Sequence, residues 1–362
     1  MKFTSQQYLH ALAPIDKVID AFIEEEKARL SSMNITHDID AWSIQSQGRF
    51  AALISSSPDA SPDLINGDIE IQFNDIEYLP SEKYVAKLVK RYTTRLETEG
   101  IELQDNNLAS LVCHFSMSRI SKLPDPADSC LVAYRVPLVE KGGRDLSRQT
   151  KYDLLGIRIY PHHNDVGVAK VWEAGACLAE YLIQDSDCVR GRRVIELGAG
   201  VGLTGLIAAA IGAESVHMTD YTDATLENLS YNVSINNKWL EDRGIDTNVV
   251  SIGHLEWGEY AEHDCCSHPA DVLIAADVVY TVECIPDLVA TVNKFLSSGS
   301  SSYALFATTY RNRSTFALFE RELEKKLITC AYKSQDEMPY VFPCYFNQPR
   351  SDVKICIMSR SE

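Results

Sequence analysis

Val194-Ile195-Glu196-Leu197-Gly198-Ala199-Gly200-Val201-Gly202-Leu203-Thr204-Gly205 joins an apolar run to a glycine-rich turn and then to a helical pattern. Glycines at 198, 200 and 202 remove side chains where a ligand would lie against the backbone. The helix start that follows turns N–H groups and partial positive charge toward the same place. Asp220 closes the next apolar stretch, 215–219. A carboxylate there can accept a pair of hydroxyls or cap the helix that begins near Thr222. The run Asp271-Val272-Leu273-Ile274-Ala275-Ala276-Asp277-Val278-Val279-Tyr280 is too apolar for a surface loop. A carboxylate beside a phenol suits an incoming amine, with Asp277 orienting the nitrogen and balancing developing charge and Tyr280 walling the path. Trp257, in Leu255-Glu256-Trp257, can cover an aromatic base or pack in a core. Trp172, in Val171-Trp172-Glu173-Ala174, reads alone as a packed helix residue.

A crevice at the carboxyl ends of parallel strands is the usual small-ligand site of an open α/β sheet. Gly200-x-Gly202-x-x-Gly205 also satisfies a dinucleotide pattern, but Glu196 would set a negative charge against a pyrophosphate. The glycine register Gly198-x-Gly200-x-Gly202 differs from that of a dinucleotide site, and the α/β pattern starts only near residue 150. S-adenosylmethionine fits better: it has no phosphate, and its sulfonium and ammonium groups tolerate acidic neighbours. Asp220 then binds ribose and Trp257 covers adenine. There is no nucleophile elbow, Walker loop or C-x-x-C. The cluster His263-x-Cys265-Cys266-x-His268 reads as a polar loop, so no metal is expected.

The elements that must position these residues follow from periodicity. From residue 154 onward strands and helices alternate: strands at 154–160, 194–197, 215–219, 249–252, 272–276, 303–309 and 353–358, with helices at 171–183, 203–211, 224–236, 285–295 and 315–327. That alternation predicts a Rossmann-like parallel sheet with helices on both faces, and late strands allow an antiparallel hairpin at its edge. Residues 1–145 read as a mainly helical N-terminal domain. Apolar spacing marks a helix over 3–30 interrupted at Pro14, another over 80–96 with Tyr84, Leu88, Val89 and Tyr92 on one face, and a third over 103–120. Ser55 to Pro62 reads as a loop, and Lys141 to Thr150 as a linker to a catalytic domain over 150–362.

The chain has 362 residues with 45% hydrophobic and 23% charged, which excludes disorder or coiled coil as a whole-chain description. A net charge of −17 makes nucleic acid a poor partner. The opening Met-Lys-Phe-Thr-Ser-Gln-Gln lacks the apolar core of a secretion signal, and no run suits a membrane span. The ten cysteines then read as reduced thiols of a cytosolic or nuclear protein, expected to be a monomer.

Taken together, Glu196-Leu197-Gly198-Ala199-Gly200-Val201-Gly202, Asp220, the Leu-acidic-Trp of 255–257 and Ala276-Asp277-Val278-Val279-Tyr280 resemble the seven-strand protein-lysine methyltransferases. Their acidic-x-x-Tyr motif falls on Asp277 and Tyr280, and Trp172-Glu173-Ala174 also recurs there. The resemblance covers about residues 152–362. It is narrowest to the elongation factor 2 lysine methyltransferase subfamily, through Pro80-Ser81-Glu82-Lys83-Tyr84, through Phe306-Ala307-Thr308-Thr309-Tyr310-Arg311-Asn312, which approximates a Phe-x-Thr-x-Arg-Asn stretch, and through Phe342-Pro343. It implies Asp277 and Tyr280 as catalytic, and Trp172, Glu196, Gly198, Ala199, Gly200, Asp220, Tyr221, Trp257 and Ala276 as the S-adenosylmethionine contacts. The other readings are a related enzyme acting on another protein's Lys or His, a cofactor-free adaptor of the same fold, and a nicotinamide oxidoreductase.

Overall fold

A computed structural model describes residues 15–32, 42–54, 82–117, 127–137, 152–259, 270–297, 302–333, 341–342 and 352–360. The expected loop at Ser55 to Pro62, the linker at Lys141 to Thr150, the His263–His268 cluster and the segments 3–14 and 80–81 lie outside the described residues, as does Pro343.

Four N-terminal helices, α1 (Ile15–Ser32), α2 (Ile44–Ile54), α3 (Glu82–Thr98) and α4 (Asn106–Met117), pack on one another. Val18, Ile19, Phe22 and Ile23 recur at helical spacing and meet Phe50, Leu88, Tyr92 and Leu108 in one apolar cluster. The Phe50 and Tyr92 rings stack with centroids 3.6 Å apart. Buried Glu26 accepts a 2.7 Å bond from the Ser46 hydroxyl and pairs with Arg49 and Arg29, which satisfies its charge inside the bundle.

The C-terminal part is a seven-stranded sheet built from β3 (Arg193–Leu197), β4 (Ser215–Asp220), β5 (Val250–His254), β6 (Val272–Ala276), β7 (Tyr303–Thr309), β8 (Ile328–Lys333) and β9 (Val353–Arg360), in the order β5-β4-β3-β6-β7-β9-β8. The first five run parallel, and β9 inserts antiparallel between β7 and β8. Both faces are covered by helices: α5 (Val166–Ala169), α6 (Glu173–Gln184), α7 (Leu203–Ala210), α8 (Asp223–Ile235), α9 (Asn237–Asp242), α10 (Ile285–Leu296) and α11 (Arg313–Lys325). The period of two along each strand divides the core. Ile195, Leu197, Leu273, Ala275 and Phe306 join α10 and α11, while Val194, Val272, Ile274 and Leu305 join α6 and α7.

Several elements differ from the sequence reading: residues 152–159, counted there among the strands of the parallel sheet, pair outside that sheet, and β8 and α2 are absent from the reading. The helix expected through Leu327 stops at Lys325; Leu327 adopts a positive φ of 56°, and the chain turns into β8. Cys130–Pro137, read as part of a helical region, is a strand, β1, and it pairs antiparallel with β2 (Tyr152–Ile159) from Cys130↔Ile159 to Pro137↔Tyr152. The apolar run Cys130-Leu131-Val132-Ala133 lacks alternation, so periodicity does not identify it. Its side chains Val132, Tyr134 and Val136 share the core of β3 and α7. The core of the sheet therefore reaches back to Cys130, on the far side of the expected linker.

An asparagine ladder fastens this hairpin to the sheet. Asn228 and Asn232 on α8 and Asn236 at its C-cap recur every four residues and are all buried. Asn236 accepts from the Gly156 N–H at 3.2 Å and donates to its carbonyl at 2.7 Å. Asn232 accepts from the Arg158 N–H at 2.8 Å and donates to the Val201 carbonyl at 2.9 Å, which lies in the glycine turn. Buried Asp153 on β2 pairs with Arg243, whose Nε donates at 3.0 Å. Among the described residues no helix is long and apolar enough to cross a membrane.

Candidate active site

The glycine turn leaves β3 with Gly198, Gly200 and Gly202 at φ of 61°, 55° and 92°, a conformation other residues resist. The chain's own packing needs these glycines too. A Cβ at Gly200 would lie 3.2 Å from the Gly167 carbonyl, and one at Gly202 would lie 2.5 Å from Leu229. A Cβ at Gly198 would meet Val278 at 3.1 Å and the Trp257 ring at 3.5 Å, which brings Trp257 against the turn as the sequence suggests. Trp257 is carried there by Leu255, whose N–H donates to the Asp220 carbonyl at 2.9 Å, and by Gly258, whose N–H donates to Thr291 Oγ1 at 2.9 Å. Ala199 is anchored by donating to the Thr219 carbonyl at 2.9 Å.

Asp220 ends β4 and is 7% exposed. Its Oδ2 accepts from the Gly200 N–H and its Oδ1 from the Tyr221 N–H, each at 2.9 Å. It is not the helix cap: Thr222 caps α8, accepting from the Thr225 N–H. Burial pushes the Asp220 carboxyl up, the two N–H groups draw it down, and the charge of Asp165 adds to the rise. Asp165 went unnoticed in the sequence. It accepts from the Gly167 N–H at 2.8 Å, from Thr225 Oγ1 at 3.2 Å and from the Thr222 hydroxyl, and so pins α5 beside the glycine turn. Its only sequence signal is the Asp-x-Gly cap pattern of 165–167.

Glu196 stands elsewhere than the sequence argument needs. At 2% exposure it packs beneath the first turn of α7, with Oε2 2.5 Å from where a Gly205 Cβ would be. Burial pushes its carboxyl up to about 8, opposed by the Gly205 N–H and the Thr204 hydroxyl and aided by the charge of Asp220. Glu196 therefore presents no exposed carboxylate, and the acidity around the turn comes from Asp220 and Asp165.

Asp277 follows β6 with φ of 54°, strained for most residues but tolerated by aspartate. Its N–H donates to the Ala307 carbonyl at 2.9 Å. Its carboxylate accepts from the Thr309 N–H at 3.0 Å, Thr309 Oγ1 at 3.1 Å and Arg311 Nη2 at 2.9 Å. A carboxylate offers roughly four acceptor directions, so one remains. Tyr280, three residues on, is 46% exposed at the mouth. Burial, then Tyr221, Cys284 and Asp220, push its phenol up, so it stays protonated near neutrality. Tyr221 is also exposed. Trp172 caps the start of α6 and donates from Nε1 to the Val166 carbonyl at 3.2 Å. Ala276, at the end of β6, faces α6 across the space above Gly175.

The strand ends thus bring the glycine turn, Asp220, Tyr221, Trp257, Asp277 and Tyr280 to one edge of the sheet. A crevice whose turn is flanked by Asp165 and Asp220 repels a pyrophosphate and accepts a cationic ligand with a ribose. The donor set fits S-adenosylmethionine.

The sequence relatives agree. Residues 153–328 match the family profile described as lysine methyltransferase. Over 271 residues the chain is 28% identical to the protein-lysine N-methyltransferase EFM3 of Chaetomium thermophilum, covering 73% of this chain and 77% of that one. It is 33% identical over 159 residues to the human protein-lysine N-methyltransferase EEF2KMT, covering 42% and 48%. A solved ribosomal protein L11 methylase from Lactobacillus delbrueckii superposes with a TM-score of 0.36 at 17% identity, over 52% of this chain and 77% of that one. Every residue of the crevice lies within 153–328, the stretch that matches the lysine methyltransferase profile, and the chain is an S-adenosylmethionine-dependent protein-lysine N-methyltransferase.

Proposed function

We infer that this enzyme methylates a lysine of a translation factor, elongation factor 2 being the candidate. The observation that carries the reading is the meeting of Asp277 and Tyr280 with the glycine turn at one sheet edge. Support for the acceptor is the subfamily resemblance together with relatives named EEF2KMT, from human at 33% identity and from mouse at 27% over 71% of its length. Purified elongation factor 2 incubated with the enzyme and tritiated S-adenosylmethionine should take label into one lysine-containing peptide on mass spectrometry. Label confined to other proteins of a cell lysate would move the acceptor elsewhere, to the Lys or His of another protein.

Asp220 would hold the ribose, Gly198, Ala199 and Gly200 would line the methionine side, and Trp257, Tyr221, Trp172 and Ala276 would wall the rest, with Glu196 bracing the turn from beneath. The sulfonium supplies an electrophilic methyl group. The residues of this chain must deliver the lysine nitrogen unprotonated. With a pKa near 10.4, losing the proton at pH 7 costs about 4.6 kcal/mol in water. A half-buried aromatic channel lowers that cost by disfavouring the ammonium. Asp277 accepts a hydrogen bond from the amine through its remaining acceptor direction and fixes its approach; Tyr280 shapes the channel and moves no proton. The contribution of the site is mainly orientation and charge placement.

The N-terminal helices precede a catalytic fold that is complete without them, which supports a role in gripping the protein substrate. A cytoplasmic monomer, acidic overall and facing a basic surface of its partner, accords with the charge of −17.

A further inference from the structure

Asp277 is not a bare carboxylate. We propose that Arg311 keeps the reacting corner electrically neutral, so that Asp277 can accept the substrate amine without trapping it as an ammonium. The inference rests on the reading of Asp277 as the amine acceptor.

Arg311 Nη2 lies 2.9 Å from Asp277 Oδ2 and 3.8 Å from Glu173 Oε2, and its guanidinium carbon lies 5.1 Å from the centre of the Trp172 ring. The second cation of the corner, Lys170, stands 3.5 Å from Glu173 Oε1 and 4.3 Å from the same ring. Two carboxylates, from the end of β6 and the start of α6, therefore meet two cations, from the end of β7 and the segment before α6; the phenol of Tyr280 adds no charge, and the charges of Asp220 and Asp165 that also reach Tyr280 belong to the glycine-turn side. Backbone ties set Arg311 in place. Tyr310 donates to the Asp352 carbonyl at 2.7 Å, and Asn312 accepts from the Ser314 N–H at 2.9 Å as the cap of α11. Arg311 is half-exposed, although a merely structural tie between β6 and β7 already exists in the two bonds from Thr309.

The chemistry decides what the pairing does. A lone carboxylate beside the target nitrogen stabilises its protonated form and holds back the nucleophile. A carboxylate paired with a guanidinium, which does not deprotonate in proteins, still accepts a hydrogen bond but carries little net field. Removing the guanidinium charge should raise the apparent pKa of the bound lysine by about one unit, which leaves roughly a tenfold smaller neutral fraction at neutral pH.

The test uses the full-length chain as wild type, Arg311→Gln, Arg311→Lys and Asp277→Asn. Each is placed in excess over heat-treated cell lysate with saturating tritiated S-adenosylmethionine, and the single-turnover rate of the labelled band is followed from pH 6.5 to 9.5. With the enzyme in excess the rate reads the bound complex, and so does its pH dependence. Calorimetry with S-adenosylhomocysteine checks that each variant retains its cofactor site. The expected result for Arg311→Gln is a half-point displaced upward by about one unit, with a rate near one tenth of wild type at pH 7.5 that converges on it at high pH; Arg311→Lys should restore most of the profile. An Arg311→Gln profile that is unshifted, or depressed equally at every pH, overturns the proposal and leaves Arg311 a structural tie. Wild-type rates in Asp277→Asn would instead defeat the reading of Asp277, and absence of any wild-type label would defeat the functional reading with it.

Discussion

At the scale of single residues, burial acts on the carboxylates around the glycine turn with different consequences. Glu196 has a folded-state value of about 8, well above the ordinary carboxylate range. Between those two values the folded chain keeps a proton that the unfolded chain has lost, so the stability tied to this proton is complete in acid and is lost as pH rises toward 8. Glu196→Gln, which carries its hydrogen permanently, should melt close to wild type at pH 5 and above it at pH 8. Thermal unfolding followed by circular dichroism at both values reads the difference, and an equal gap at both would show Glu196 already charged in the fold. Asp220 is engaged by two backbone N–H groups of the crevice loops. Asp220→Ala should weaken S-adenosylmethionine binding by roughly ten- to a hundredfold, the worth of about 1.5–3 kcal/mol for hydrogen bonds to a charged group, as isothermal calorimetry would measure. Asp277→Ala should bind the cofactor with near-normal affinity and lose most methyl transfer, and full activity in that variant would remove Asp277 from the reaction.

At the scale of elements, α8 links the hairpin to the cofactor turn. Asn232 is bonded both to Arg158 on β2 and to the Val201 carbonyl. Replacing it by alanine strands the Arg158 N–H and the buried Val201 carbonyl, while the Arg158 carbonyl keeps its bond from Asn228. Asn232→Ala should cost roughly 2–3 kcal/mol by urea unfolding and also weaken cofactor binding, because Val201 sits inside the glycine turn. A loss of stability with cofactor affinity intact would confine the ladder to a scaffolding role. The ladder has a clean sequence trace, Asn at 228, 232 and 236. It stays unread because polar residues at helical spacing ordinarily mark a solvated face; here they take up the unpaired backbone groups of a strand edge.

At the scale of the whole molecule, two apolar clusters matter to how the chain divides. One belongs to the N-terminal helices and the other runs through β1, β2 and the sheet. Residue 150 is therefore a poor place to cut, since β1 would lose its place against β2 and expose Leu155 and Ile157. A chain beginning at Ala127 should fold and raise its melting temperature with S-adenosylmethionine, whereas one beginning at Lys151 should be unstable or aggregate. If the N-terminal helices grip the substrate, the chain from Ala127 should bind cofactor normally and methylate the acceptor protein many-fold more slowly. Equal rates would relieve those helices of that role.

Much of this enzyme could be read without coordinates. The alternation of apolar strands and helices after residue 154 determined the parallel sheet, because each strand must bury both faces and each helix only one. Gly198, Gly200, Gly202, Asp220, Asp277 and Tyr280 could be named because a strand's carboxyl end tells where its next residue emerges. What lay beyond the sequence were pairings between distant segments. β1 finds β2 across the expected linker, Arg311 finds Asp277 from the next strand, and Glu196 turns under α7 while Ile195 and Leu197 pack against α10 and α11. Local pattern records which residues share an element; only tertiary packing decides which charges share a corner, and here it pairs Asp277 with Arg311.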